Sequence, residues 1–183
     1  IHAGLILDQD KKHIATGNIP DAADILVTLQ SASKTFNMPG LGCAYAVVKN
    51  PILRKKIKQI MNGIVHHVGA LGFTATLAAY QNGKAWHSEL IEYLRLNREQ
   101  VEQTLSHCDG LTVYHSEATY LTWIDAREMA VNNPSLYFEK FGVGLYDGAP
   151  FGAPGFLRLN YACPNSILQE ALKRIKSGLA ELT

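Results

Sequence analysis

Residues 25–29, Ile-Leu-Val-Thr-Leu, form a nearly continuous apolar run that passes without a break into a polar stretch, Gln30 to Gly40. A short apolar run with β-branched members predicts a buried strand in a parallel sheet, and such sheets are covered by helices. Residues 43–48, Cys-Ala-Tyr-Ala-Val-Val, predict the neighbouring strand. The 40 residues after Lys49 then switch to a helical period. Asn50 can cap and Pro51 suits a first helical turn. Ile52, Leu53, Ile57, Ile60 and Met61 recur on one side, while Arg54, Lys55, Lys56 and Lys58 fall mostly on the other. Asn62-Gly63 is the stop.

A second helix is predicted over 71–81, broken by Asn82-Gly83, and a long amphipathic one over 85–107 with Leu90, Leu94, Val101 and Leu105 aligned. Roughly 23 helical residues span about 35 Å, enough to connect two lobes. Beyond Asp109-Gly110 the texture changes. Strands are predicted over 111–114, 119–124 and 156–161, with a short helix over 135–140 and a Gly/Pro-rich segment over 142–155. A terminal helix over 164–182 turns Ile167, Leu168, Leu172, Ile175 and Leu179 inward. The expected organisation is α/β: part of a mostly parallel layer over 1–107, then a small α+β domain over 108–183.

Composition excludes several classes. Seventeen Lys and Arg against sixteen Asp and Glu give a net charge of +1, without the basic excess of a nucleic-acid binder. No apolar run approaches the roughly 18 residues of a membrane span, and no signal-peptide pattern opens the chain. Cys43, Cys108 and Cys163 are too widely spaced for a disulfide framework or a CxxC site, which fits a reducing cytoplasm.

The chemistry concentrates in Ser31-Ala32-Ser33-Lys34-Thr35-Phe36-Asn37. A lysine just past a buried strand sits where open α/β sheets bind ligands. In a partly desolvated site its amine is a nucleophile toward carbonyls, and the hydroxyls of Ser31 and Ser33 can hold a phosphate. Taken alone, the same residues also describe a solvated loop.

The segment Ser31 to Leu41 resembles the cofactor-lysine motif of fold-type I pyridoxal-phosphate enzymes, within the class I/II aminotransferase superfamily. The nearest resemblance is to its cystathionine β-lyase, or C–S lyase, branch. His2 to Leu7, Leu71 to Tyr80 with Trp86, Leu94-Arg95-Leu96-Asn97-Arg98, Ser116 to Asp125 and Gly155 to Pro164 resemble further family segments in the same order. The resemblance covers essentially the whole chain. It implies that Lys34 holds pyridoxal phosphate covalently and shuttles the substrate Cα proton. It further implies that Ser31 and Ser33 contact the cofactor phosphate, that His2 meets the phenolic oxygen, and that Arg158 clamps the substrate α-carboxylate. An amino-acid substrate, a homodimer and a cytoplasmic setting are implied with them, with no metal, nucleic acid or membrane.

Two departures stand out. Gly42 occupies the position where many relatives carry a phosphate-binding arginine, a gap shared with the C–S lyase branch. The family's pyridinium-binding aspartate would lie two residues before Ile1, so the chain is expected to be the C-terminal half of such an enzyme. The leading expectation is β-elimination from a sulfur amino acid; the alternatives are an aminotransferase and a non-catalytic interaction fragment. Elsewhere, His66-His67 lack a third metal ligand, and their loop is expected to reach a partner's cofactor. The charged residues 54–58 read as a solvated helix face. Cys43 and Cys163 read as buried thiols, and Tyr120 and Trp123 as packing residues.

Overall fold

The structure is a computed structural model, and it describes residues 1–20, 22 and 24–182. It divides into two compact units, Ile1–Glu89 and Leu90–Thr183.

In the first unit, β1 (Thr28–Gln30) and β2 (Tyr45–Val47) pair antiparallel, with Leu29 opposite Ala46. The parallel pairing expected for residues 25–29 is therefore corrected. The chain reverses through residues 31–44 in a turn and a 3-10 segment without a crossover helix, and a parallel return needs such a crossover. Burial of the run is corrected too. Ile25 is 83% exposed, and Leu29, Tyr45 and Val47 are also exposed, so apolar side chains stand open on both faces of this two-stranded ribbon. Helix α1 (Pro51–Met61) starts where the sequence predicts, Asn50 Oδ1 accepting the N–H groups of Ile52 and Leu53. Its apolar side is only partly covered, with Leu53 and Ile57 half-buried and Ile52, Ile60 and Met61 exposed. Helix α2 (Ala70–Asn82) follows and ends at Gly83.

Helix α3 (Lys84–Leu105) runs from the first unit into the second. In the second unit, β3 (Thr112–Val113), β4 (Leu121–Asp125), α4 (Pro134–Glu139), β5 (Tyr146–Asp147), β6 (Phe156–Asn160) and α5 (Asn165–Ala180) follow in turn. The sheet is antiparallel throughout, in the order β3-β4-β6-β5. Alternation sets its two faces: Thr122, Ile124, Leu157 and Leu159 are buried, while their neighbours point to the other side. The core joins these to Leu94, Val101 and Leu105 of α3, Phe138 of α4, and Leu168, Leu172 and Ile175 of α5. Ile167 is 58% exposed and does not turn inward as expected.

Asn97 holds this unit's last loop to α3. Buried, it donates from Nδ2 to the carbonyls of Tyr161 (2.9 Å) and Cys163 (3.2 Å), and its Oδ1 accepts from Asn165 Nδ2 (3.2 Å). Tyr93 adds a second tie, its hydroxyl oxygen accepting the Asn165 N–H at 2.7 Å. Residues 161–165, which follow β6 directly, are thereby set against a rigid helix.

Candidate active site

Residues 32–38 form one helical turn with Lys34 in its middle. The Phe36 N–H donates to Ala32 O and the Met38 N–H to Ser33 O, both at 2.9 Å. Asn37, at φ 51°, closes the turn in the left-handed region, a conformation asparagine tolerates better than most residues. Ser31 opens it. Its Oγ accepts the Ser33 N–H (3.1 Å), donates to Cys43 O (2.7 Å) and lies 2.8 Å from Ser33 Oγ. A hydroxyl has a single proton, and Ser31 gives its own to the carbonyl. The Ser33 hydroxyl proton therefore points at Ser31. Ser31 is buried, whereas Ser33 and Lys34 are half-buried, so the amine is reachable while the turn that carries it is anchored.

The turn's far end is packed by rings. Phe36 stacks on Trp86 (centroids 5.8 Å apart) and meets Tyr80 edge-on (6.1 Å). Burial, with Tyr45 and Cys43 beside it, pushes the Tyr80 phenol up to about 12, so it stays protonated. Gly83, the joint between α2 and α3, lies against the same ring: a Cβ there would sit 2.5 Å from Phe36 Cε1 and 2.4 Å from Ala79 O. Overpacking of this kind costs about 1–3 kcal/mol, so Gly83→Ala is expected to lower the urea midpoint of unfolding. An unchanged midpoint would show that Phe36 is free to move.

His2 is half-buried, and its imidazole is held below the ordinary histidine value first by burial, then by the N-terminal amine and by Lys34. The Lys34 amine is thus near enough to the His2 imidazole to act on its charge, and Lys34 follows the hydroxyl pair of Ser31 and Ser33 directly in the chain. Gly42 gains a reason that the sequence does not offer: its φ is 57°, a left-handed conformation that glycine adopts freely and a long side chain such as arginine does not.

In the second unit, Arg158 lies on β6 directly opposite Trp123 of β4 and Tyr146 of β5. Its guanidinium carbon sits 4.5 Å from the Tyr146 ring centroid and 4.9 Å from that of Phe151. No carboxylate forms an ion pair with it among the described residues. A second arginine, on the 3-10 turn that follows β4, makes the contrast. Arg127 lies over Phe156 at 4.8 Å, but Asp125 occupies its fork, accepting from Nε (2.9 Å) and Nη2 (2.7 Å). Arg127 in return holds the Asp125 carboxyl below the usual range. Of the two, Arg158 has its donor edge free for a carboxylate from outside.

Other sequence candidates fall away from chemistry. Burial pushes the Cys163 and Cys108 thiols up, opposite to what a nucleophilic thiolate requires. Trp123 packs as expected, stacked on Phe156 at 5.6 Å. His66 and His67 are exposed, and no cluster of three or more metal-ligating side chains occurs among the described residues. No helix among them is long and apolar enough to cross a membrane.

Residues 1–175 match the family described as aminotransferase class I and II. The chain is 33% identical to cystathionine β-lyase PatB of Bacillus subtilis over 98% of its own length and 48% of the relative's. It superposes on the crystal structure of OvoB with a TM-score of 0.95 at 39% identity, covering 98% of this chain and 48% of that one. Cystalysin from Treponema denticola, whose crystal structure contains pyridoxal 5'-phosphate, gives a TM-score of 0.91 at 27% identity over 100% of this chain and 48% of that one. The chain therefore spans about half the length of the relatives it matches.

Proposed function

The chain belongs to the class I and II aminotransferase family, and from that premise we propose that it carries the lysine and the carboxylate clamp of a pyridoxal-phosphate-dependent C–S β-lyase. Residues 1–107 are read as part of the cofactor-binding domain and 108–183 as the small domain. A sulfur amino acid as substrate, a second copy of the chain and a cytoplasmic setting complete the proposal.

The observation that carries it is the anchored turn around Lys34. Its donor set suits this cofactor: a reachable amine for the aldehyde carbon, hydroxyls of Ser31 and Ser33 for the phosphate, and an imidazole biased toward its neutral form at His2. Ser33 can redirect its proton to a phosphate by giving up one side-chain contact, whereas Ser31 must first release Cys43 O. When bound, pyridoxal phosphate supplies an electron-accepting ring beside the substrate Cα.

The chain's own residues do the rest. Lys34 Nζ would hold the cofactor through its aldehyde carbon and, once the substrate amine takes its place, would accept the Cα proton. Arg158 holds the α-carboxylate by its fork, which fixes the orientation of the Cα–H bond. Loss of that proton and of the Cβ–S bond, whose electron pair leaves with sulfur, gives a thiolate that becomes a thiol by taking up the proton that Lys34 removed. The residual enamine takes up water to give pyruvate and ammonia.

The similarity to cystathionine β-lyase PatB favours elimination, while the family's own description favours amino transfer as the second reading. One assay separates them. The protein at its natural length, incubated with cystathionine, is expected to release thiol and pyruvate in equal amounts without any added 2-oxo acid. Turnover that requires a 2-oxo acid would replace the lyase by an aminotransferase. No turnover in either mode would remove both.

A further inference from the structure

Nothing in the proposed reaction requires Tyr146 or Phe151, yet both rings are held against Arg158. Tyr146 arrives by register. It stands opposite Arg158 in the β5–β6 pair, on the same side of the sheet. Phe151 arrives by a built turn. The Gly148 N–H donates to Phe156 O (2.8 Å), the Ala153 N–H to Gly148 O (3.1 Å), and the Ala149 N–H to Asp147 Oδ1 (3.0 Å). These bonds double the chain back after β5 so that Phe151 returns to Arg158. Trp123, edge-on to Phe151 at 6.0 Å, backs that ring. The two rings are 65% and 54% exposed, a cost in apolar surface that the core of the unit does not repay.

We propose that Tyr146 and Phe151 are positioning residues that clamp the Arg158 guanidinium for a substrate carboxylate. The inference rests on Arg158 being the carboxylate ligand of the proposed reaction. A guanidinium donates in its own plane, and rings take its faces. Ring contact therefore restricts the side chain's rotation without consuming its N–H edge, leaving the fork pre-set for a bidentate carboxylate. Arg127 shows the other way to hold such a side chain: it is fixed by Asp125, at the price of its fork.

The test is a set of substitutions in the protein at natural length with its cofactor. Tyr146→Leu and Phe151→Leu are each expected to raise KM about three- to fivefold, the scale of one exposed cation–π contact, with kcat within about twofold of wild type. Tyr146→Phe and Phe151→Tyr keep the ring and are expected to restore KM. In an Arg158→Gln background the leucine substitutions are expected to change kcat/KM by less than about twofold, since contacts through a shared partner are not additive. In the substrate-free protein, the Arg158 side-chain protons are expected to carry an upfield ring-current shift that each leucine variant reduces.

Absence of that shift in the wild type overturns the clamp. So does an unchanged KM in the leucine variants when Arg158→Gln itself lowers kcat/KM, a result that leaves the proposed reaction standing. Full-sized leucine effects in the Arg158→Gln background would mean that the rings meet substrate directly, and would equally overturn it. If Arg158→Gln has no effect, the carboxylate assignment fails and the clamp falls with it.

Discussion

Replacing Lys34 by alanine is expected to lower the proposed lyase turnover by at least about 10³-fold, combining the loss of a positioned general base with that of the covalent attachment point. The fold should hardly register the change. Lys34 is half-buried on its turn and forms no ion pair among the described residues. The bonds that shape the turn belong to the backbones of Ala32, Ser33, Phe36 and Met38 and to the Ser31 hydroxyl. Alanine also has a higher helix propensity than lysine, so the melting temperature of the variant should lie within a few degrees of wild type. Added methylamine is expected to restore part of the rate, because a small amine can take the Cα proton from the space the side chain leaves. Activity above a tenth of wild type would remove Lys34 from the mechanism.

That lysine was legible because its chemistry is local: strand, turn, amine and hydroxyls lie within one stretch of chain. The helices were legible for a similar reason. Asn50-Pro51 and Gly83 punctuate the periodic segments that they bound, so α1, α2 and α3 begin and end within a residue or two of their predicted limits. What was not legible depends on partners far away in sequence. An apolar run carries no direction, so the antiparallel pairing of β1 with β2 could not be read from residues 25–29. The Ser31 hydroxyl reads as a free phosphate ligand until the carbonyl of Cys43 is found beneath it.

β5 is two residues long and lies in a Gly/Pro-rich segment with no period to betray it. Tyr146 acquires meaning only through its register with Arg158. Gly42 is instructive in the opposite sense. As a sequence feature it is a missing arginine, whereas its positive φ makes it a turn residue that no arginine could occupy without strain. For the proposed cofactor phosphate, the Ser33 hydroxyl has only one side-chain contact to give up, whereas Ser31 must release Cys43 O.

Arg158→Gln is expected to reduce kcat/KM by about 10²–10³-fold, since two hydrogen bonds to a charged group at roughly 1.5–2 kcal/mol each amount to some 3–4 kcal/mol. Arg158→Lys should fall between glutamine and wild type. It keeps the charge but replaces a planar fork with a point donor that cannot meet both carboxylate oxygens in one plane. Arg127→Gln is the informative control. Arg127 is of the same residue type and also lies over an aromatic ring, but its fork is filled by Asp125, and its loss should leave kcat/KM within about threefold.

If charge alone attracted the substrate, lysine at 158 would restore most of the rate and added salt would weaken the effect. If bidentate geometry is what matters, only Arg158 should respond, and lysine should fail to rescue it fully. The ratio of Arg158→Lys to Arg158→Gln thus reads how much of the recognition is shape rather than charge. A ratio of one would mean that charge without the fork contributes nothing, whereas full rescue by lysine would mean that the planar fork of Arg158 is not what the carboxylate reads.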